Sequence, residues 1–218
     1  MLSHASGLNR LRLGPLLELL LYKLTLLPRD LTHPTVAIGM CLCAVAGAGV
    51  CTTAQASPLG ATAAFVQAGS AQETQTLVFG LNWAWPWRGV APGGGRLSGY
   101  WEAAVGRWHG AGQAAQHSSA WVTQLGATAV LRWQPASWGD RWALEAGLGA
   151  NSLVPIYHSG SKQFGSVLNF GNHLAVLRRW GPSQRHELSV RLEHFSNAGI
   201  REPNPGENFL QLRYAQAF

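Results

Sequence analysis

From Trp121 to Trp133 the side chains sort by parity: Trp121, Thr123, Leu125, Ala127, Ala129, Leu131 and Trp133 all fall on one face. A period of two belongs to a β-strand, whose successive side chains leave opposite faces. The same alternation returns in segments separated by turn-forming residues. Taken in order they are residues 61–68, 76–87, 97–108, 121–133, 142–149, 167–180, 186–195 and 207–218. Gly69-Ser70, Pro92 to Gly95, Gln134 to Asp140 and Gly181-Pro182-Ser183 read as turns, and His109 to Ser118 and Asn151 to Gly165 as longer loops. The pattern predicts eight strands joined as an antiparallel meander.

The ends of these segments decide where the strands reside. On the fourth, a Trp at each end brackets an aliphatic band, the arrangement of a strand that crosses a bilayer between two interfaces. An amphipathic strand in a soluble sandwich gives no cause for both rings. Composition points the same way: 12% of residues are charged, against about a quarter in an ordinary soluble protein. All ten Trp lie between Trp83 and Trp180, and no segment after residue 56 has the length of a membrane-crossing helix. A closed sheet is the remaining way for such a backbone to satisfy its polar groups in lipid. The expected fold is therefore all-β, an eight-stranded antiparallel transmembrane β-barrel in the bacterial outer membrane. Side chains fill the interior of so small a barrel, which argues against a porin.

Before the barrel the chain changes character. Val36 to Val50 is a short apolar run with Arg29 and His33 upstream and Ala54-Gln55-Ala56 downstream. That is the layout of a secretory signal peptide cleaved after Ala56. The expected organisation is an N-terminal extension over 1–34, which an upstream start codon would explain, a signal peptide over 35–56 and the barrel over 57–218. Cys41, Cys43 and Cys51 all precede the cleavage site, so the barrel has no disulfide.

The candidate chemistry lies at the end of the seventh strand. His194 and Ser196 are two residues apart and share a face with Leu188, Val190 and Leu192, while Arg191 and Glu193 take the other. With both termini on the periplasmic side, the seventh strand runs outward, and the pair reaches the outer rim on the lipid-facing wall. Polar and ionisable groups there are expensive and functional by default. An imidazole beside a hydroxyl is the minimum apparatus for an activated serine nucleophile. Lipid esters lie at that depth, so the placement suits a hydrolase acting on the membrane's own lipid.

The run His194-Phe195-Ser196-Asn197-Ala198-Gly199, followed by Pro203-Asn204 and Gly206 and by a C-terminal Phe218, resembles the lipid A 3-O-deacylase family. The resemblance implies hydrolysis of the ester-linked 3-hydroxyacyl chain at position 3 of lipid A in lipopolysaccharide, without a cofactor or metal. It also implies roles. Ser196 is the nucleophile, His194 the general base, Asn197 and the backbone at Gly199 the oxyanion donors, and Asn204 a support of the loop. The family's third member is a Glu that orients the imidazole. Here a gapless match places Asn208 at that position, with Glu207 one residue early. Parity favours Asn208, whereas a carboxylate stabilises an imidazolium better; the choice falls narrowly on Glu207, turned outward by an irregularity at Gly206, with Asn208 kept beside it. The terminal Phe218 resembles the signal by which the barrel-assembly machinery takes up outer-membrane proteins.

Other features are weaker. His109, His117, His158 and His173 have no metal-ligand spacing, and no basic stripe suggests nucleic acid. Lys162 and Arg201 lie in outer loops where they could meet lipid A phosphates. Two other readings stay open: a non-catalytic barrel serving as anchor or adhesin, and an outer-membrane phospholipase, against which the chain length speaks. Homodimerisation is open as well.

Overall fold

The structure, a computed structural model, describes residues 57–91, 93–110, 121–160 and 162–218. The expected extension and signal peptide lie outside the described residues. Eight long strands form the barrel: β1 (Ala63–Ser70), β2 (Thr74–Ala84), β3 (Arg96–Gly110), β4 (Trp121–Gln134), β5 (Trp142–Val154), β6 (Leu168–Trp180), β7 (His186–Ser196) and β8 (Glu207–Ala217). Each pairs antiparallel with its neighbour in sequence, and β1 pairs with β8 from Ala63↔Ala217 to Ser70↔Leu210, which closes the sheet. No strand edge is left open, as a bilayer requires. Two short pairings decorate the ends, Gly89–Val90 against β3 and His158–Ser159 against Lys162–Gln163.

Several boundaries differ from the sequence reading; the first strand runs through Gly69 and Ser70, read as a turn, and the third through His109 and Gly110, read as the start of a loop. The second strand stops at Ala84, because Pro86 has no N–H to continue the ladder, and Trp85 and Trp87 lie in the turn. The fifth extends to Val154 instead of ending at Gly149. Its polar residues read as loop, yet Asn151 faces the interior and accepts a hydrogen bond from Gln124 Nε2 at 2.8 Å. A polar side chain is no breaker where the barrel lumen is polar.

The lumen is closed by charge below and by aromatic rings above. Arg132 joins Glu145 at 2.6 Å and Glu187 at 2.9 Å, and Tyr100 donates to Glu145 at 3.0 Å. Glu102 sits between Arg213 and Arg191, and Arg213 also donates to Asn82 at 3.0 Å. Charges buried this deeply are tolerated because each is paired. At the end where β5 passes into β6 and β7 into β8, Trp108, Val122, Leu153, Tyr157, Phe164, Phe195 and Phe209 form a packed plug. Trp108 meets Phe195 and Phe209 edge-on, with ring centroids 4.8 and 4.7 Å apart. Both chain ends of the barrel lie at the opposite rim, where Phe218 donates its N–H to Thr62 O at 3.1 Å.

Candidate active site

The outer end of β7 obeys strict alternation. Glu187, Ser189, Arg191, Glu193 and Phe195 are buried in the lumen, whereas Leu188, Val190 and His194 are exposed on the outer wall and Ser196 is half-buried there. Phe195 is the anchor. Its ring is locked in the aromatic plug, which turns the residues on either side of it outward together. The pair that the sequence reading brought to one face is on one face.

β8 decides the third partner. His194 is directly opposite Asn208 and Phe195 opposite Glu207 in the ladder. His194 Nδ1 lies 2.8 Å from Asn208 Oδ1, so the imidazole donates through Nδ1 and presents Nε2 as the basic nitrogen. Glu207 points the other way. It is 2% exposed, inside the lumen, where its carboxylate accepts from Tyr157 Oη and Lys162 Nζ, each at 2.8 Å. Of the two residues weighed for orienting the imidazole, the structure brings Asn208 to the ring and turns Glu207 into the lumen. Gly206 does not introduce the irregularity that would have turned Glu207 outward, and β8 starts in register at Glu207.

Gly206 has a different part. Its φ is +69°, and a Cβ built there would lie 2.7 Å from His194 Cε1 and 3.4 Å from Nε2. Only a residue without a side chain lets the returning loop pass this close to the ring at such a φ. Gly206→Ala should displace the imidazole and lower kcat by roughly 10²-fold, the scale of a 1 Å misplacement. Unheated gel migration should still report a folded barrel; turnover equal to wild type would refute the reading.

The loop after Ser196 is held from within by Asn197, whose side chain is fully buried. Asn197 Oδ1 accepts the Gly199 N–H at 3.0 Å and its Nδ2 donates to Arg201 O. The Asn197 N–H donates to Asn204 Oδ1 at 2.9 Å, and Ile200 N–H to Asn197 O at 3.1 Å. Ala198 and Gly199 both take positive φ, at 55° and 77°. The donors expected to face an oxyanion, the Asn197 amide and the Gly199 N–H, are thus engaged inside the loop. Asn204 Oδ1, by accepting from Asn197, ties the two ends of the loop together. Lys162, a loop cation that could have met lipid A phosphates, turns inward to Glu207. Among the described residues no cluster of His, Cys, Asp or Glu is arranged to hold a metal.

A groove that sequence reading missed leads away from Ser196 along the outer wall. Ladder pairing strings Ser196, Phe170, Ala150, Ala127 and Ala103 into one row across β7, β6, β5, β4 and β3. A parallel row of His194, Asn172, Leu148, Ala129 and Trp101 forms one bank, and Leu168, Ser152, Leu125 and Val105 form the other. Between the first row and the His194 row lies a depression of about 520 Å³, lined mainly by apolar residues, with Ala127, Ala129 and Ala150 at its floor and Trp101 at one end. Ser196 terminates β7 at the outer rim, whereas Ala103 lies midway along β3. The row therefore descends from the rim toward the bilayer centre, over roughly 19 Å at the usual spacing of neighbouring strands. No single strand announces it, because it exists only once the register of five strands is set.

A serine and a histidine on the outer wall, at the head of an apolar groove, have counterparts among known proteins. The family model for lipid A 3-O-deacylase (PagL) matches residues 76–217. A lipid A deacylase PagL of Bordetella bronchiseptica is 36% identical over 149 residues, covering 67% of this chain and 72% of the relative. One of Pseudomonas aeruginosa is 30% identical over 143 residues, covering 66% of this chain and 78% of the relative. The crystal structure of the outer membrane enzyme PagL superposes with a TM-score of 0.59 at 27% identity, covering 72% of this chain and 99% of that one. The matched region runs from β2 through β8 and takes in both the strand that carries His194 and Ser196 and the strand that carries Asn208, so the chain belongs to the lipid A 3-O-deacylase (PagL) family.

Proposed function

We propose that Ser196 attacks the ester carbonyl at position 3 of lipid A while His194 takes its proton and Asn208 holds the imidazole. The chain is an outer-membrane ester hydrolase of the lipid A deacylase family. The observation that carries the residue assignment is the His194 Nδ1 to Asn208 Oδ1 contact at 2.8 Å, made on the lipid-facing side at the outer rim. It leaves Nε2 free to accept the serine proton and to return it to the departing sugar oxygen, which splits one difficult step into two. Water then releases the fatty acid from the acyl-serine.

The groove supplies position. An acyl chain lying over Ala150 and Ala127 points its ester end at Ser196 and its methyl end at Trp101. Ordering the chain before attack is the entropic share of catalysis. Asn197 and Asn204 act by holding the shape of the turn after Ser196. Cleavage after Ala56 and uptake by the assembly machinery through Phe218 belong to the same proposal, and N-terminal sequencing of the membrane-inserted protein should begin at Ser57.

The assignment of Asn208 is tested by two substitutions. Asn208→Leu removes the acceptor and should lower kcat by about 10²-fold, within the range of general-base contributions. Asn208→Glu keeps an acceptor and adds charge, and should turn over lipid A at least as fast as wild type. An Asn208→Leu protein with undiminished kcat would refute the role.

A further inference from the structure

We infer that Glu207, on the lumenal side of the wall, is a positioning residue for the His194–Asn208 couple, and that Lys162 and Tyr157 of the third outer loop hold it in place. The inference rests on the serine-hydrolase reading above.

The carboxylate accepts three hydrogen bonds. Its Oε2 takes the Tyr157 hydroxyl at 2.8 Å, and its Oε1 takes Lys162 Nζ at 2.8 Å and the N–H of Asn208 at 3.2 Å. The last of these matters most. It fixes the peptide from which the Asn208 side chain departs on the opposite face, toward His194. Tyr157 Oη in turn lies 2.6 Å from Thr74 Oγ1 on β2, so the phenol that donates to Glu207 accepts from Thr74. Burial, reinforced by the neighbouring Glu207, pushes the Tyr157 phenol above its usual range, and it remains a protonated donor at any working pH.

Glu207 differs from the other lumenal carboxylates in the origin of its partners. Glu102, Glu145 and Glu187 pair with arginines on barrel strands. Both side-chain donors to Glu207 come from loop 155–167. That loop also abuts the catalytic loop: a Cβ on Gly165 would lie 2.5 Å from Arg201 O and 2.6 Å from Glu202 O. The loop therefore braces the catalytic segment twice, once against its backbone and once through Glu207 at the root of β8. A buried charge is costly unless it is fully paired. This one is paired directly behind the residue that orients the base.

The test compares Glu207→Gln, Lys162→Met and the double variant with wild type, purified in detergent micelles, on lipid A. Folded fraction is read from unheated gel migration, and Ser196→Ala is the inactive control. Each single variant should lose about 10- to 100-fold in kcat per folded molecule, the cost of a displaced catalytic group, with KM unchanged. The double variant should be no worse than either single one, because both break the same linkage. Lys162→Arg should restore most of the rate. If Glu207→Gln does not fold, Lys162→Met and Lys162→Arg carry the comparison. Undiminished kcat in the folded variants, beside an inactive Ser196→Ala, overturns this inference alone. So does a Lys162→Met protein that raises KM and leaves kcat intact, the behaviour of a lipid-phosphate ligand. Turnover that survives Ser196→Ala overturns the serine reading and this inference with it.

Discussion

Ser196→Ala should reduce deacylation of lipid A by at least about 10³-fold while leaving a barrel that migrates as folded. The expected size follows from what a nucleophile contributes once orientation and dipoles are left in place. Ser196 is half-buried on the outer wall and pairs across the ladder with Phe170, so losing one hydroxyl leaves the sheet intact. Mass spectrometry of lipid A from cells expressing the variant should show every 3-hydroxyacyl group retained. The wild-type protein should remove one. Loss of that group in the Ser196→Ala strain would remove the serine mechanism. Unchanged lipid A with phospholipid breakdown by wild type would favour a phospholipase, and no lipid change at all an anchor or adhesin.

The second large effect concerns the groove. Ala150 is two strands from Ser196 in the descending row, exposed to lipid and flanked by Leu148 and Ser152. Ala150→Trp fills the depression with an indole where a methyl had been. Because the face is lipid-exposed, the ring meets no core and the barrel should form normally. Hydrolysis of lipid A should fall by about 10²-fold, since the chain loses the bed that orders its ester at the nucleophile. A short soluble ester, such as an aryl acetate, needs no groove and should be hydrolysed at the wild-type rate. Parallel assays on the two substrates separate a blocked groove from a damaged site. Equal loss on both would refute the groove assignment, and so would no loss on either.

The two effects differ in how far the sequence foretold them. The His194 and Ser196 placement needed only parity along a single strand, and the alternation of Leu188, Val190 and Leu192 with Arg191 and Glu193 carries it. The aromatic ends of β4 were equally legible. The groove was not, because Ala103, Ala127 and Ala150 are unremarkable one at a time and become a row only through the pairing offsets of neighbouring strands. Glu207 is a different case. Chemistry favours a carboxylate beside an imidazole and parity favours Asn208; the ladder, with no bulge at Gly206, puts Asn208 opposite His194 and turns Glu207 into the lumen. Asn151 and Ser152 were read as loop because polar residues break strands in ordinary sheets, whereas a barrel lumen accepts Asn151 as a hydrogen-bonding partner. The bonds within loop 197–206 are beyond any period, since Asn197 and Asn204 meet through a turn and not through a repeat.

The seam between β1 and β8 bears on when the molecule becomes an enzyme. His194 and Ser196 ride on the penultimate strand, but Asn208 arrives with the last, just after which Phe218 clasps Thr62 near the start of the barrel. The contact between His194 and Asn208 therefore exists only once the last strand has paired with the one before it, and on the mechanism proposed above a barrel lacking that strand would have an imidazole without its partner.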